Sequence, residues 1–140
     1  MILETNKTHL KQIFQIEESS FKNPWSYESL VEEINNKVSL NRVFLDGKKV
    51  LGYLFGWNLD SEYHLNNIAV NPSYRRKGVA KKMINNIIFI PRIKNIYLEV
   101  SCFNGEAINF YEEIGFKQNG LRKKYYRDES DAILYKLEIK

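Results

Sequence analysis

The stretch NNIAVNPSYRRKGVAKKMI, residues 66–84, decides the architecture. Ile68, Ala69 and Val70 close an apolar strand, and Asn71-Pro72 ends it, because proline offers no N–H and constrains its predecessor. Arg75, Arg76 and Lys77 follow, then Gly78, then Val79, Met83, Ile84, Ile87 and Ile88 at helical spacing up to the stop at Pro91. A helix that starts this way presents unpaired backbone N–H groups and a partial positive charge. Gly78 and the small Ala80 let a ligand come close to the backbone, and the basic residues favour an anion. The segment therefore suits a phosphate or pyrophosphate, although alone it also reads as a basic surface turn. It is neither a Walker loop nor the three-glycine dinucleotide fingerprint.

Working outward, Ile2 to Glu4 reads as a short strand and His9 to Glu18 as an amphipathic helix with Leu10, Ile13, Phe14 and Ile16 on its apolar side. Phe21 to Tyr27, with Pro24 and Trp25, reads as a loop, and Ser26 as the N-cap of a helix carrying Leu30, Val31 and Ile34. Val43–Leu45 and Val50–Trp57 flank the turn pair Asp46-Gly47. Further strands are expected at Tyr63–Val70, Ile96–Ser101, Gly115–Gln118 and Ala132–Ile139, with a helix at Gly105–Ile114 ended by Gly115. The order predicts an α/β (mixed α+β) fold, with a central antiparallel meander followed by β-α-β and helices covering the sheet.

At 140 residues, 44% of them hydrophobic, the chain suits one domain with a real core, residues 1–140. No apolar run reaches the roughly 20 residues of a membrane span, and MILETNKTHL does not read as a signal peptide. A lone cysteine, Cys102, makes no intrachain disulfide and suits a reducing cytoplasm, the expected location. The net charge of +4 is spread along the chain; RKKYYRD comes nearest to a nucleic-acid patch, and no direct nucleic-acid binding is expected. His9 and His64 are too few and too far apart for a metal site.

The strand ending IAV, the Asn71-Pro72 turn, Tyr74 and RRKGVA together resemble the acyl-coenzyme A loop of the GNAT superfamily of N-acetyltransferases, Q/R-x-x-G-x-G/A, matched by Arg75, Gly78 and Ala80. The resemblance implies a GNAT fold: a central, mostly antiparallel twisted sheet with one splayed strand pair. It implies that amides of Arg76, Lys77, Gly78, Val79, Ala80 and Lys81 hold the pyrophosphate of acetyl-coenzyme A, with no metal. The backbone of Ile68, Ala69 and Val70 would bond the pantetheine, which enters beside Ile96–Ser101 as a pseudo-strand.

A second segment, YLEVSCFNGEAINFYEEIGF at 97–116, is similar to the RimI type, enzymes that acetylate the N-terminal alanine of small-subunit ribosomal protein eighteen. NPWS at 23–26 and KKYYRD at 123–128 extend the likeness over nearly the whole chain. Phe103 and Gly105 depart from the pattern. The resemblance implies Glu99 as general base, Tyr111 as general acid, Asn104 as a cofactor contact, and Trp25, Tyr125 and Tyr126 around the incoming peptide.

The residues themselves support that chemistry. An α-amino group with a pKa of about 8 must lose a proton before it attacks a thioester, and a carboxylate such as Glu99 can take it. Partial burial in an apolar strand raises a carboxylate's pKa toward a useful range. A phenol can serve the departing thiolate, and the backbone N–H of Val70 is a candidate to polarise the thioester carbonyl. Cys102 is a weak rival nucleophile, with no histidine near it in sequence. Asn104 also reads as a helix N-cap, Tyr111 as a core tyrosine, Glu99 as a structural carboxylate, and the three aromatics as packing residues. Other readings are a GNAT enzyme acting on a small-molecule amine or a lysine side chain, and a non-catalytic coenzyme A-binding module.

Overall fold

The computed structural model describes residues 1–140. Its strands are β1 (Ile2–Glu4), β2 (Arg42–Asp46), β3 (Lys49–Leu59), β4 (Glu62–Val70), β5 (Asn95–Ser101), β6 (Lys117–Arg122) and β7 (Ala132–Glu138). They form one seven-stranded sheet in the order β1-β2-β3-β4-β5-β7-β6. Every neighbouring pair is antiparallel except β4 and β5, which are parallel. The helices are α1 (Leu10–Ser20), α2 (Tyr27–Asn35), α3 (Val79–Ile88) and α4 (Gly105–Ile114). No helix is long and apolar enough to cross a membrane. The expected mixed sheet flanked by helices is the fold observed.

Strand alternation splits the core into two layers. Tyr53 and Phe55 of β3 pack with Leu10, Ile13 and Leu30 beneath α1 and α2. Leu54 joins Met83, Ile84, Ile87 and Leu98 beneath α3 and α4. Gly52 sits where α3 crosses β3, and a Cβ there would lie 3.0 Å from side chains of both Met83 and Val79. Ser26 caps α2 by accepting from the Ser29 N–H at 3.1 Å, and Asn104 caps α4 by accepting from the Ala107 N–H at 3.2 Å.

Element edges differ from expectation in a few places. A 3-10 turn, Lys7–His9, capped by Asn6, precedes α1, which starts at Leu10 and runs to Ser20. The β2–β3 turn centres on Gly47 and Lys48, because Asp46 pairs with Lys49; Gly47 supplies φ +59°. β6 begins at Lys117 rather than Gly115, which is the left-handed C-cap of α4 at φ +117°, and it runs on to Arg122.

The decisive irregularity lies in β4. Phe55 pairs with Asn67 but Gly56 pairs with Leu65, so Asn66 is an extra residue. Such a bulge reverses which face the following residues present. Tyr63 and Leu65 lie in the α3/α4 layer, whereas Ala69 lies in the α1/α2 layer.

Candidate active site

The β4–β5 ladder stops just before the bulge. Glu62, Tyr63, His64 and Leu65 pair with Asn95, Ile96, Tyr97 and Leu98, and no pair follows. Beyond that point β4 stays on β3 as far as Val70 and β5 stays on β7 as far as Ser101. The strands therefore diverge and leave a slot between Asn66–Val70 and Glu99–Ser101. The Asn71 N–H bonds to Leu51 O on β3 at 2.8 Å. Antiparallel alternation then directs the backbone groups of Ala69 toward β3 and those of Ile68 and Val70 toward the slot.

On one side of the slot lies a cleft of ≈ 420 Å³. Its walls bring together Ile68, Ala69, Val70, Arg75, Arg76, Gly78, Val79, Ala80, Lys81, Asn104 and Tyr111. Gly78 is the residue before α3, with φ +80° and no side-chain cap. The first backbone bond of the helix runs from the Lys82 N–H to Gly78 O at 3.0 Å. The N–H groups of Val79, Ala80 and Lys81 thus have no helical acceptor and open toward the cleft. Arg75 is tethered, donating to Val70 O at 3.1 Å and Ser20 Oγ at 3.0 Å. Arg76 takes a left-handed φ of +60°. Lys77 is not in the wall, and its ammonium lies 5.5 Å from the Tyr74 ring centroid.

On the other side a cavity of ≈ 640 Å³ is lined by Trp25, Glu33, Trp57, His64, Tyr97, Glu99, Arg122, Tyr125 and Tyr126 among others. Glu99 points away from its buried neighbours Leu98 and Val100, as alternation requires. Its side chain is 33% exposed and faces the Arg122 guanidinium at 3.5 Å, a more solvated, charge-paired setting than an apolar strand suggested. Burial raises the Tyr126 phenol pKa, and the charges of Glu99 and Tyr125 raise it further.

Tyr111 is buried against Phe110 and Phe116. Burial pushes its phenol well above the ordinary range, and Tyr126 adds to the shift.

Residues 10–116 match the Acetyltransferase (GNAT) family. The chain belongs to that family. Its relatives include the [ribosomal protein bS18]-alanine N-acetyltransferase of Escherichia coli K12, 29% identical over 98% of this chain and 95% of that protein. The protein of that name from Haemophilus ducreyi is 30% identical over 82% of this chain and 81% of its own length. The crystal structure of the E. coli ribosomal-protein-S18-alanine N-acetyltransferase matches with a TM-score of 0.91 at 28% identity, covering 99% of this chain and 93% of that one. Arabidopsis thaliana NAA60, crystallised in complex with acetyl-CoA, shares the fold with a TM-score of 0.84 at 20% identity, over 99% of this chain and 98% of that one. This GNAT protein is thus an acyltransferase, and the reaction it belongs to is acetyl transfer.

Two features of the acetyltransferase escaped the sequence reading. Glu17 is 1% exposed. Its Oε1 accepts from Tyr53 Oη at 2.6 Å and Asn67 Nδ2 at 2.7 Å, and its Oε2 accepts from the Trp25 N–H at 2.9 Å. It ties α1 to the Trp25 loop, to β3, and to β4 at the bulge. Its signal was its position: Glu17 continues the stripe of Leu10 and Ile13 at helical spacing, which sets a carboxylate on the buried face of α1. The second is Arg122, a basic residue with no local signal for its pairing with Glu99. Cys102 lines neither the cleft nor the cavity.

Proposed function

We propose that this chain, with residues 1–140 as one catalytic domain, transfers an acetyl group from acetyl-coenzyme A to the α-amino group of a protein N-terminus, most specifically the N-terminal alanine of ribosomal protein bS18. The observation that carries this reading is the slot between β4 and β5, with an anion-suited cleft on one side and a carboxylate-bearing cavity on the other. The names of the E. coli and H. ducreyi relatives support the acceptor.

The residues present fit the donor. Unpaired N–H groups of Val79, Ala80 and Lys81 would hold the pyrophosphate, helped by the helix dipole. Slot-facing backbone groups of Ile68 and Val70 would bond the pantetheine arm, which would supply the partners a sheet neighbour normally gives. Asn104, in the cleft wall, would contact the same arm. When bound, acetyl-coenzyme A supplies an activated acyl thioester. Glu99 accepts the proton of the incoming ammonium, directly or through water, and Arg122 keeps its carboxylate oriented. The slot-facing Val70 N–H would polarise the acyl carbonyl. Tyr111 is the general acid for the departing sulfur. Burial keeps its phenol protonated, so it can pass that proton to the sulfur as the carbon–sulfur bond breaks, and the proton that the acylated nitrogen sheds returns through water to the phenolate. Trp25, Tyr125 and Tyr126 wall the cavity that the peptide would enter. A cytoplasmic location follows from this role.

Mass spectrometry of peptides incubated with the enzyme and acetyl-coenzyme A tests the proposal. Acetylation at an N-terminal alanine, and not on lysine side chains, is the expected result. Transfer to lysine side chains or free amines alone would overturn it.

A further inference from the structure

Glu17 is the one buried carboxylate of the chain, and the chemistry above leaves it idle. At 1% exposure it has no cation beside it, since none of the chain's ion pairs includes it. Three donors converge on it instead: Tyr53 Oη at 2.6 Å and Asn67 Nδ2 at 2.7 Å on Oε1, and the Trp25 N–H at 2.9 Å on Oε2. Only a side chain that accepts and does not donate satisfies all three. Stability by itself does not call for this arrangement. A buried charge is costly to desolvate, and well-packed apolar side chains in its place often hold a core equally well. What the carboxylate adds is direction, because each of its bonds fixes one partner relative to the other two.

The partners belong to different parts of the site. Asn67 stands between Asn66, which lines the acceptor cavity, and Ile68, which lines the cleft. It is the first residue past the bulge, and Val70, whose N–H faces the slot, follows on the same strand. Trp25 lines the acceptor cavity from the loop between α1 and α2. Glu17 thus joins the strand that borders the donor to the wall that meets the acceptor. One turn later on α1, Ser20 Oγ accepts from Arg75 Nη2 at 3.0 Å, and Arg75 Nε donates to Val70 O at 3.1 Å. The last turn of α1 is therefore tied, directly or through Arg75, to both ends of the segment from Asn67 to Val70. Attack on a thioester needs the reacting atoms about 3–3.5 Å apart and aligned, and a misplacement of about 1 Å costs on the order of a hundredfold in rate.

We infer that Glu17 is a positioning residue of the acetyl transfer: through Asn67 and the Trp25 N–H it sets the β4 lip of the slot against the acceptor wall, and with it the approach of amine to thioester. This rests on the acetyl-transfer reading of the slot and its two chambers, and it gives the carboxylate a part in kcat as well as in stability.

The test compares two substitutions that each take one donor from the carboxylate. Asn67→Leu, near-isosteric, frees the slot lip, whereas Tyr53→Phe frees only β3, since Tyr53 lines neither chamber. Using the full chain, kcat and both KM values are measured with acetyl-coenzyme A and a peptide that begins with alanine. The temperature is one at which near-ultraviolet circular dichroism shows each variant folded. Asn67→Leu is expected to lower kcat about tenfold. It should leave the KM for acetyl-coenzyme A within about twofold, because the α3 amides are untouched. Tyr53→Phe is expected to keep kcat within about twofold. Glu17→Ala should lower kcat by about 10–100-fold, and Glu17→Gln, which can still bond the Trp25 N–H and Asn67, should restore most of it. Should the alanine variant not fold, Asn67→Leu and Tyr53→Phe decide the matter. Equal kcat in those two, or an unchanged kcat in Asn67→Leu, would overturn the positioning role. If the parent enzyme acetylates spermidine and no peptide, the peptide reading falls, and the same kcat comparison made with spermidine judges Glu17 separately.

Discussion

Replacing Glu17 with alanine should cost more stability than its small size suggests. The substitution strands the donors Tyr53 Oη, Asn67 Nδ2 and the Trp25 N–H, now bonded at 2.6, 2.7 and 2.9 Å. Tyr53 is 0% exposed and Asn67 9%, so water does not replace the lost acceptor for either. Trp25 is only half-buried, and its N–H can be resolvated. An unsatisfied buried donor costs about 1–3 kcal/mol. Two of them give about 2–6 kcal/mol, a large share of the ~5–15 kcal/mol that holds a domain folded. Glu17→Gln should cost less, about 1–3 kcal/mol, because the glutamine oxygen can take the Trp25 N–H and its NH₂ can donate to a flipped Asn67 amide, leaving only the Tyr53 O–H without an acceptor. Urea unfolding followed by Trp25 and Trp57 fluorescence measures both midpoints. If the alanine variant loses under about 1 kcal/mol, or if alanine and glutamine cost the same, the three bonds do not hold this region together.

Three further outcomes are expected. Glu99→Gln should lower turnover by about 10²–10⁴ near neutral pH. The deficit should narrow as pH rises past the acceptor amine's pKa of about 8; a deficit independent of pH would remove the base role. Tyr111→Phe should lower kcat, and because burial raises the phenol's pKa, the unaltered enzyme should show no alkaline limb from Tyr111 up to about pH 10, the ordinary phenol value. A limb below that value, present in the parent and absent from the variant, would contradict the buried setting. Gly78→Ala should cost roughly 1–2 kcal/mol, since the position has φ +80° but a Cβ there meets nothing within 4 Å. It should also weaken acetyl-coenzyme A binding in calorimetry, and unchanged melting and affinity would show that the left-handed turn is not needed.

Much of the architecture was legible because it is local. Val79, Met83, Ile84 and Ile87 recur at helical spacing and are the buried face of α3. Ser26 and Asn104 carry the side-chain oxygens that cap α2 and α4. Gly78 and Gly115 occur where the backbone turns left-handed. The splayed strand pair was implied by resemblance alone, since its physical cause, the bulge at Asn66, has no pattern in Leu65-Asn66-Asn67 that local reasoning detects. β6 was underestimated because it is an edge strand: five of its six residues are exposed, so no alternation marks its reach to Arg122. The pairs Glu17–Asn67, Glu33–Trp57 and Arg122–Glu99 join residues far apart in the chain, and only the folded sheet brings them together. Lys77 fits the loop's charge pattern, yet its side chain goes to Tyr74, a direction that composition does not encode.

The four residue pairs that join β4 to β5 have a mechanical consequence. The sheet is two plates, β1–β4 and β5–β7, hydrogen-bonded along that one short seam and otherwise held together by the core in which Leu54 and Leu65 meet Leu98 and Tyr135. Beyond the seam the slot-facing backbone groups have no ladder partner. Amide exchange in the unliganded protein should accordingly be fastest at Ile68 and Val70, whose N–H groups face the gap, and slow at Ala69, which is bonded to the neighbouring strand.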